Sequence, residues 1–273
     1  LLVSSPDTKI NESRYNALKS AVDIIAGPPL SKTDPLYHNR KIGRLMTLLN
    51  LYGIMGFESG LNPTARSQSG NAVGLIQFHS PTGVKTINKK DYTLSQIESM
   101  SFEEQALLAG QFYREILGEE HFPNDYIPLE TFYLATFYPR AMKQGNSYEI
   151  FNGGPGVAEN PIFDVNKDNI ITRGEVVDVI KKRVGSEYYP RIFSKVKSGL
   201  EAVIRESENY NSGPNQLPPS YSSSQPPMGG PGEKYINIKK LLNIKKPNIS
   251  KPLEFSVDPN SIIETKIQNA VFT

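Results

Sequence analysis

The sequence predicts a mainly α-helical body, extended by a loop-and-helix segment and followed by an extended C-terminal tail. Three observations carry this prediction. Up to about residue 208, apolar residues recur at spacings of three and four, the period of helices that bury one face. Period-two alternation, the mark of a half-buried strand, is sparse. Residues 212–232 then break the pattern: six Pro, five Ser and four Gly, with no charged residue, cannot build a packed core and read as a linker.

The elements follow in order. Ile42, Leu45, Met46, Leu49, Tyr52 and Met55 make 37–57 an amphipathic helix that should end close to Glu58. Phe102, Ala106, Ala109, Phe112, Tyr113 and Ile116 make a second, begun by Ser101 as N-cap with Glu104 three residues on, a capping box. Leu129 to Met142 is a third apolar segment, in which Pro139 predicts a kink or break. Segments 175–184 and 188–208 also read as helices. Alternation at 234–238 and 253–257 supports at most a small hairpin or extended arms in the tail.

The chain has 273 residues, enough for one substantial domain and an appendage. Lys+Arg 30 against Asp+Glu 28 gives a net +2, split into a −1 body over 1–211 and a +3 tail over 233–273. No nucleic-acid partner is expected from so small a charge. The absence of Cys excludes disulfides, thiolate metal sites and cysteine nucleophiles, and suits any redox compartment. No apolar run approaches the roughly 18 residues of a membrane span, so none is expected. A start at Leu1 leaves open that a leader was removed. His38, His79 and His121 share no helical spacing, which argues against a histidine metal site or triad. The pairs Lys239-Lys240 and Lys245-Lys246 read as a solvated face that can contact an anionic polymer or a partner protein.

One acid stands apart. Glu58 falls at the C-terminal end of an apolar helix, where desolvation and the negative end of the helix dipole both disfavour its ionisation. A carboxyl that stays protonated near neutral pH can deliver a proton to a weakly basic oxygen. The Asn62-Pro63, Ser69-Gly70 and Val73-Gly74 pairs that follow predict a turn-rich loop able to line a cleft, with the Gln77 amide facing sugar groups.

Glu58-Ser-Gly-Leu-Asn-Pro-x-Ala-x-Ser67, followed by Gly70-Asn-Ala-Val-Gly-Leu-Ile-Gln-Phe78, resembles the motif of the soluble lytic transglycosylases, lysozyme-like enzymes that cleave peptidoglycan. The likeness covers 58–78 directly and, by the fold it implies, about 37–160. It implies a lysozyme-like α-helical domain with Glu58 as catalytic acid/base, Ser59 supporting the site, and Gln77 and Phe78 bordering the glycan cleft. A third element of that family, an aromatic turn, matches either Ala135-Thr-Phe-Tyr-Pro139 or Phe151-Asn-Gly-Gly154; of Phe137, Tyr138 and Phe151, Tyr138 is the expected site aromatic.

Two-carboxylate glycosidases need a second acid within roughly 5 to 9.5 Å of the first. No Asp or Glu occurs from Ser59 to Lys90, so a residue as distant as Asp91 would have to serve. This gap favours chemistry on one carboxylate, and the resemblance implies its outcome: cleavage of the MurNAc-GlcNAc bond with a 1,6-anhydromuramyl end. The alternatives are a muramidase hydrolase and a non-catalytic structural or glycan-binding protein that keeps the fold.

Asp164-Val-Asn-Lys-Asp-Asn-Ile-Ile-Thr-Arg-Gly-Glu175 has the twelve-residue spacing of an EF-hand loop. Asp164, Asn166, Asp168 and Thr172 offer side-chain oxygens, Ile170 its carbonyl and Glu175 a closing carboxylate, an oxygen set suited to a structural Ca2+. Asn169 replaces the usual Gly and is the non-Gly residue best able to take positive φ. A helix should follow from Glu175 but none should precede, because 152–161 is rich in Gly and Pro. The loop is in this similar to dockerin-like and excalibur-like calcium loops.

The predicted organisation is therefore 1–160 for the lysozyme-like domain, 161–211 for the calcium loop and helical extension, 212–232 for the linker and 233–273 for the basic tail. The expected partners are peptidoglycan glycan strands and, through the tail, phage tail or other assembly proteins. The expected setting is a phage virion acting on the cell wall or periplasm, with a bacterial envelope or secreted enzyme as the alternative.

Overall fold

The computed structural model describes residues 10–27, 30–118 and 122–212. The chain divides into two units, Leu1–Val196 and Lys197–Thr273. The described residues are mainly α-helical, with eight α-helices and six short strands arranged as three separate two-stranded antiparallel pairs. No helix among them is long and apolar enough to cross a membrane.

Helix α1 (Glu12–Ala26) is capped by Asn11, whose side chain accepts the Arg14 N–H at 2.8 Å, and it buries Ala17, Leu18, Ala21, Val22 and Ile25. The periodicity above does not pick it out, since two of its five inward residues are alanines. Helix α2 (Tyr37–Ser59) is the predicted central helix, with Leu48, Leu49, Leu51, Tyr52, Ile54 and Met55 at most 2% exposed. It ends where expected. Gly60 takes φ 63 and its N–H bonds to Gly56 O, while the Leu61 N–H reaches Met55 O, a left-handed cap that Gly adopts without a Cβ clash.

The N-terminal half of α2 is fastened to a 3-10 turn, Pro123–Asp125. The buried Asp125 carboxylate accepts from Arg40 Nε at 3.1 Å and Arg44 Nε at 2.7 Å. Thr47 Oγ1 donates to Asp125 O and accepts the Ile127 N–H. Strands β1 (Ala72–Val73) and β2 (Phe78–His79) form the first pair; β3 (Val84–Ile87) and β4 (Lys90–Thr93) form a hairpin turned by Asn88 and Lys89, both at positive φ. Helix α3 (Leu94–Glu98) leads to α4 (Phe102–Leu117), where the capping box of Ser101 and Glu104 is present as predicted. Helix α4 packs on α1 so closely that a Cβ on Gly110 would come within 2.9 Å of Ala21 O.

Helix α5 (Leu129–Phe137) stops at Tyr138, the residue before Pro139, and a 3-10 turn Pro139–Ala141 follows. Strand β5 (Glu149–Asn152) pairs with β6 (Ile170–Thr172) across helix α6 (Gly154–Glu159). The stretch expected to lack a helix thus holds a six-residue one, which Gly153 at φ 65 and Pro155 in the first turn allow. Helix α7 (Arg173–Glu187) and helix α8 (Tyr189–Ser212) match the two predicted C-terminal helices.

Helix α7 lies against α2 at two glycines: a Cβ on Gly53 would meet Val184 at 2.3 Å, and one on Gly56 the Tyr188 ring at 2.2 Å. Tyr189 donates to Asn50 Oδ1 at 2.5 Å, and Asn50 Nδ2 donates to Ile127 O at 2.8 Å, so the buried polar groups at this junction are paired. Beyond Val196 the described part of the second unit is the remainder of α8. Residues 213–232 of the predicted linker, the tail with its alternating segments and Lys pairs, and His121 lie outside the described residues.

Candidate functional site

Glu58 occupies the last turn of α2, one residue from the helix end. Glu58 is half-buried, and the surrounding protein desolvates its carboxyl and pushes its pKa from 4.5 up to about 8. Among the described residues no donor or cation contacts it. Two buried phenols lie within its field, Tyr113 of α4 and Tyr133 of α5; burial raises both first, and the Glu58 charge raises them further. Tyr113 sits 3.5 Å from Thr136 Oγ1. Such a group can hold its proton near neutral pH and give it to a substrate oxygen.

The loop after α2 is held in three places. Ser59 Oγ stands 2.8 Å from Met55 O and 3.0 Å from Leu75 O, so its one proton bridges the helix end to the far side of the loop. Gln105 of α4, fully buried, accepts the Leu75 N–H at 2.8 Å and donates at 2.7 Å to both Pro63 O and Ile97 O. Gly74 makes this approach possible, since at φ 80 a Cβ would lie 2.3 Å from Gln105 Oε1. The turns fall at the predicted dipeptides: Asn62 Oδ1 accepts from Thr64 N and Oγ1, and Gly70 takes φ 73.

The predicted site residues divide. Glu58 lies in the last turn of α2, and Ser59 ties that helix end to the loop. Gln77 is half-buried with φ 50, and its Nε2 is engaged with Gly74 O at 3.0 Å and Ala65 O at 3.3 Å, which turns its donors inward on the loop. Phe78 is a correction: at 1% exposed, with its ring edge-on to Phe112 at 5.8 Å, it belongs to the core and offers no surface to a ligand. Tyr138 lies just past the end of α5, half-buried, with its ring edge-on to Phe151 at 5.8 Å, while Tyr133 stacks on Phe137 at 5.2 Å. Asp91 is exposed on β4 and accepts from Thr86 Oγ1 at 2.6 Å. Tyr113, Tyr133 and Gln105 escaped the sequence reading. The two tyrosines lie on helical apolar stripes and read as core, and a buried glutamine among apolar helix residues was the available signal.

The segment 164–175 forms a closed loop. Asn169 takes φ 66, the conformation expected of the Gly position. One oxygen of each early side chain is tied to a backbone N–H: Asp164 Oδ2 to Asn169, Asn166 Oδ1 to Asp168, Asp168 Oδ1 to Ile170. Thr172 and Glu175 form the capping box of α7, with Glu175 Oε2 accepting from Thr172 N and Oγ1 at 2.9 Å. Two acid oxygens, Asp164 Oδ1 and Glu175 Oε1, are buried without any partner. These belong to the first and last positions of the loop, and a hard cation would satisfy both; left alone, such atoms cost about 1–3 kcal/mol each. The oxygen-only donor set fits such an ion. No cluster of three or more His, Asp or Glu side chains converges among the described residues, and Asp168 Oδ2 is engaged by Asn166 Nδ2 at 2.9 Å, so this carboxylate would have to turn to ligate.

No protein-family model matches the chain, and comparisons with curated proteins and with solved structures return no match.

Proposed function

We propose that the protein is a peptidoglycan lytic transglycosylase with a lysozyme-like helical domain, working on a single carboxylate. The observation that carries this reading is Glu58: a carboxyl at a helix end, pushed up to about 8 by desolvation, followed by a loop with no acid before Asp91. In the proposed reaction neutral Glu58 protonates the glycosidic oxygen as the C1–O bond of the muramyl residue breaks, and the leaving GlcNAc departs as an alcohol. The substrate's N-acetyl oxygen stabilises C1. The Glu58 carboxylate then takes the proton of the muramyl 6-hydroxyl, whose oxygen bonds to C1, giving a 1,6-anhydro end and regenerating neutral Glu58. No water is consumed, in keeping with the acid-free stretch from Ser59 to Lys90.

The loop 164–175 is proposed to hold a structural Ca2+ through Asp164, Asn166, Asp168, the Ile170 carbonyl, Thr172 and Glu175. Its support is the pair of orphaned oxygens on Asp164 and Glu175. Titrating calcium into chelator-treated protein by calorimetry should give a binding heat that Asp164→Ala removes; heat unchanged by that substitution contradicts the assignment. The lytic reading is tested by digesting purified peptidoglycan with wild type and Glu58→Gln: reducing ends would indicate a hydrolase, and an intact substrate a non-catalytic protein. A phage virion opening the wall locally is the proposed setting, with the tail as link to other assembly proteins.

A further inference from the structure

We propose that Phe163 is a positioning residue for Glu58: its ring completes the aromatic wall of Phe57, Tyr133 and Phe137 beside that carboxyl, and a calcium-class cation on the adjoining loop holds it in place. This deepens the lytic reading and rests on it for Glu58 as proton donor. Phe163 is 2% exposed and lies 5.3 Å from the Phe137 ring, 5.8 Å from Tyr133 and 6.4 Å from Phe57. Phe57 precedes Glu58 in the chain and meets Tyr133 edge-on at 5.5 Å. Tyr133 is in turn one of the two phenols coupled to the Glu58 charge. The ring cluster that begins at Phe57, next to Glu58 in the chain, is therefore closed by a residue from outside the 58–78 motif.

Phe163 immediately precedes Asp164, the first residue of the loop, so its seat depends on the loop's closure. The far end of the loop reaches the same wall through α7, whose Arg183 guanidinium lies over the Phe57 ring at 5.5 Å. One ion bound by Asp164 Oδ1 and Glu175 Oε1 would join the loop's two ends and fix both approaches. Without it, two unpaired buried oxygens favour local opening. Opening withdraws Phe163, admits water beside Glu58 and lets the acid ionise at lower pH. The titratable groups facing Glu58 are Tyr113 from α4 and Tyr133 from α5, both neutral across this range; Arg183 faces Phe57. By linkage, neutral Glu58 must in return strengthen calcium binding.

The test follows the Glu58 side-chain carboxyl by carbon-13 NMR, its signal assigned by loss in Glu58→Gln, in calcium-loaded and EDTA-treated wild type and in calcium-loaded Phe163→Ala and Phe163→Leu. Circular dichroism checks that each is folded, and calorimetry reports bound calcium. The proposal expects the carboxyl midpoint to fall by about one pH unit or more on chelation and in Phe163→Ala, with Phe163→Leu between. Calcium should still bind both variants, and the alkaline limb of glycan release should move with the midpoint. An unchanged midpoint in a folded Phe163→Ala overturns the proposal. So does an unchanged midpoint after calcium removal, or a protein that binds no calcium. The wild-type comparison needs no substitution, so a variant that fails to fold leaves the test intact. Failure to cleave peptidoglycan would sink the lytic reading alone, because the carboxyl titration is read without substrate.

Discussion

In the proposed function, Glu58 sets activity against stability at a single residue. Its folded pKa of about 8 lies above the unfolded 4.5, so between these values the unfolded chain releases a proton that the folded protein keeps, and stability falls as pH rises. Below 4.5 both states are neutral and nothing is lost; above about 8 the loss is complete. Glu58→Gln should therefore match wild type in Tm at acid pH and exceed it increasingly toward pH 8. The gain is at most a few kcal/mol, since one pKa unit corresponds to about 1.4 kcal/mol. A Tm difference independent of pH would contradict the buried neutral acid. Activity should follow the same proton, present below about 8 and lost as pH rises through it. At the loop, Asn169→Val places a β-branched residue at φ 66 and should cost about 1–2 kcal/mol by thermal melt. Both residues were legible in the sequence: the acid from its place at a helix end, and the asparagine from its tolerance of positive φ. Phe78 was not, because an aromatic in a motif looks the same in letters whether its ring faces a ligand or the core. Tyr133 reads as one more apolar-stripe residue, and only the folded protein shows its phenol buried, with the Glu58 charge raising its pKa further.

At the level of elements, close approaches decide what positions the site. A Cβ on Gly43 would stand 1.8 Å from Asn124 O, a backbone atom that cannot swing aside, so Gly43→Ala should destabilise by about 2 kcal/mol or more in a denaturant melt. That lifts α2 off the turn at Asp125 and disturbs the helix that ends in Glu58. Gln105→Leu should lower glycan release more than stability alone explains, since it frees the Leu75 N–H and the Pro63 carbonyl that hold the loop. The main helices were legible from their apolar period and, at Ser101, from a cap that agreed with it. Helix α1 was not, because alanines make up much of its buried face. Three strand pairs of two to four residues are too short for alternation to register; short turns join the first two pairs, and the segment holding α6 joins the third. The short helix α6 hid behind Gly and Pro, residues that also start helices.

Across the whole first unit, the loop 164–175 and the helix that ends at Glu58 meet through α7 and the Phe57–Tyr133–Phe163 rings. Calcium at a hundredfold over its Kd should stabilise by about 2.7 kcal/mol, so chelation should lower the wild-type Tm and leave Asp164→Ala unmoved. The sequence anticipated this unit in outline: a near-neutral body without Cys, long enough for one core, with no acid between Glu58 and Asp91. That gap is what separates the proposed chemistry from hydrolysis, and it is read most directly in the products. Purified peptidoglycan digested with wild type and with Glu58→Gln, then resolved by mass spectrometry, should show muropeptides ending in 1,6-anhydroMurNAc with the wild type and none with the variant. Reducing MurNAc ends, or glycan left intact by the wild type, would contradict the single-carboxylate account.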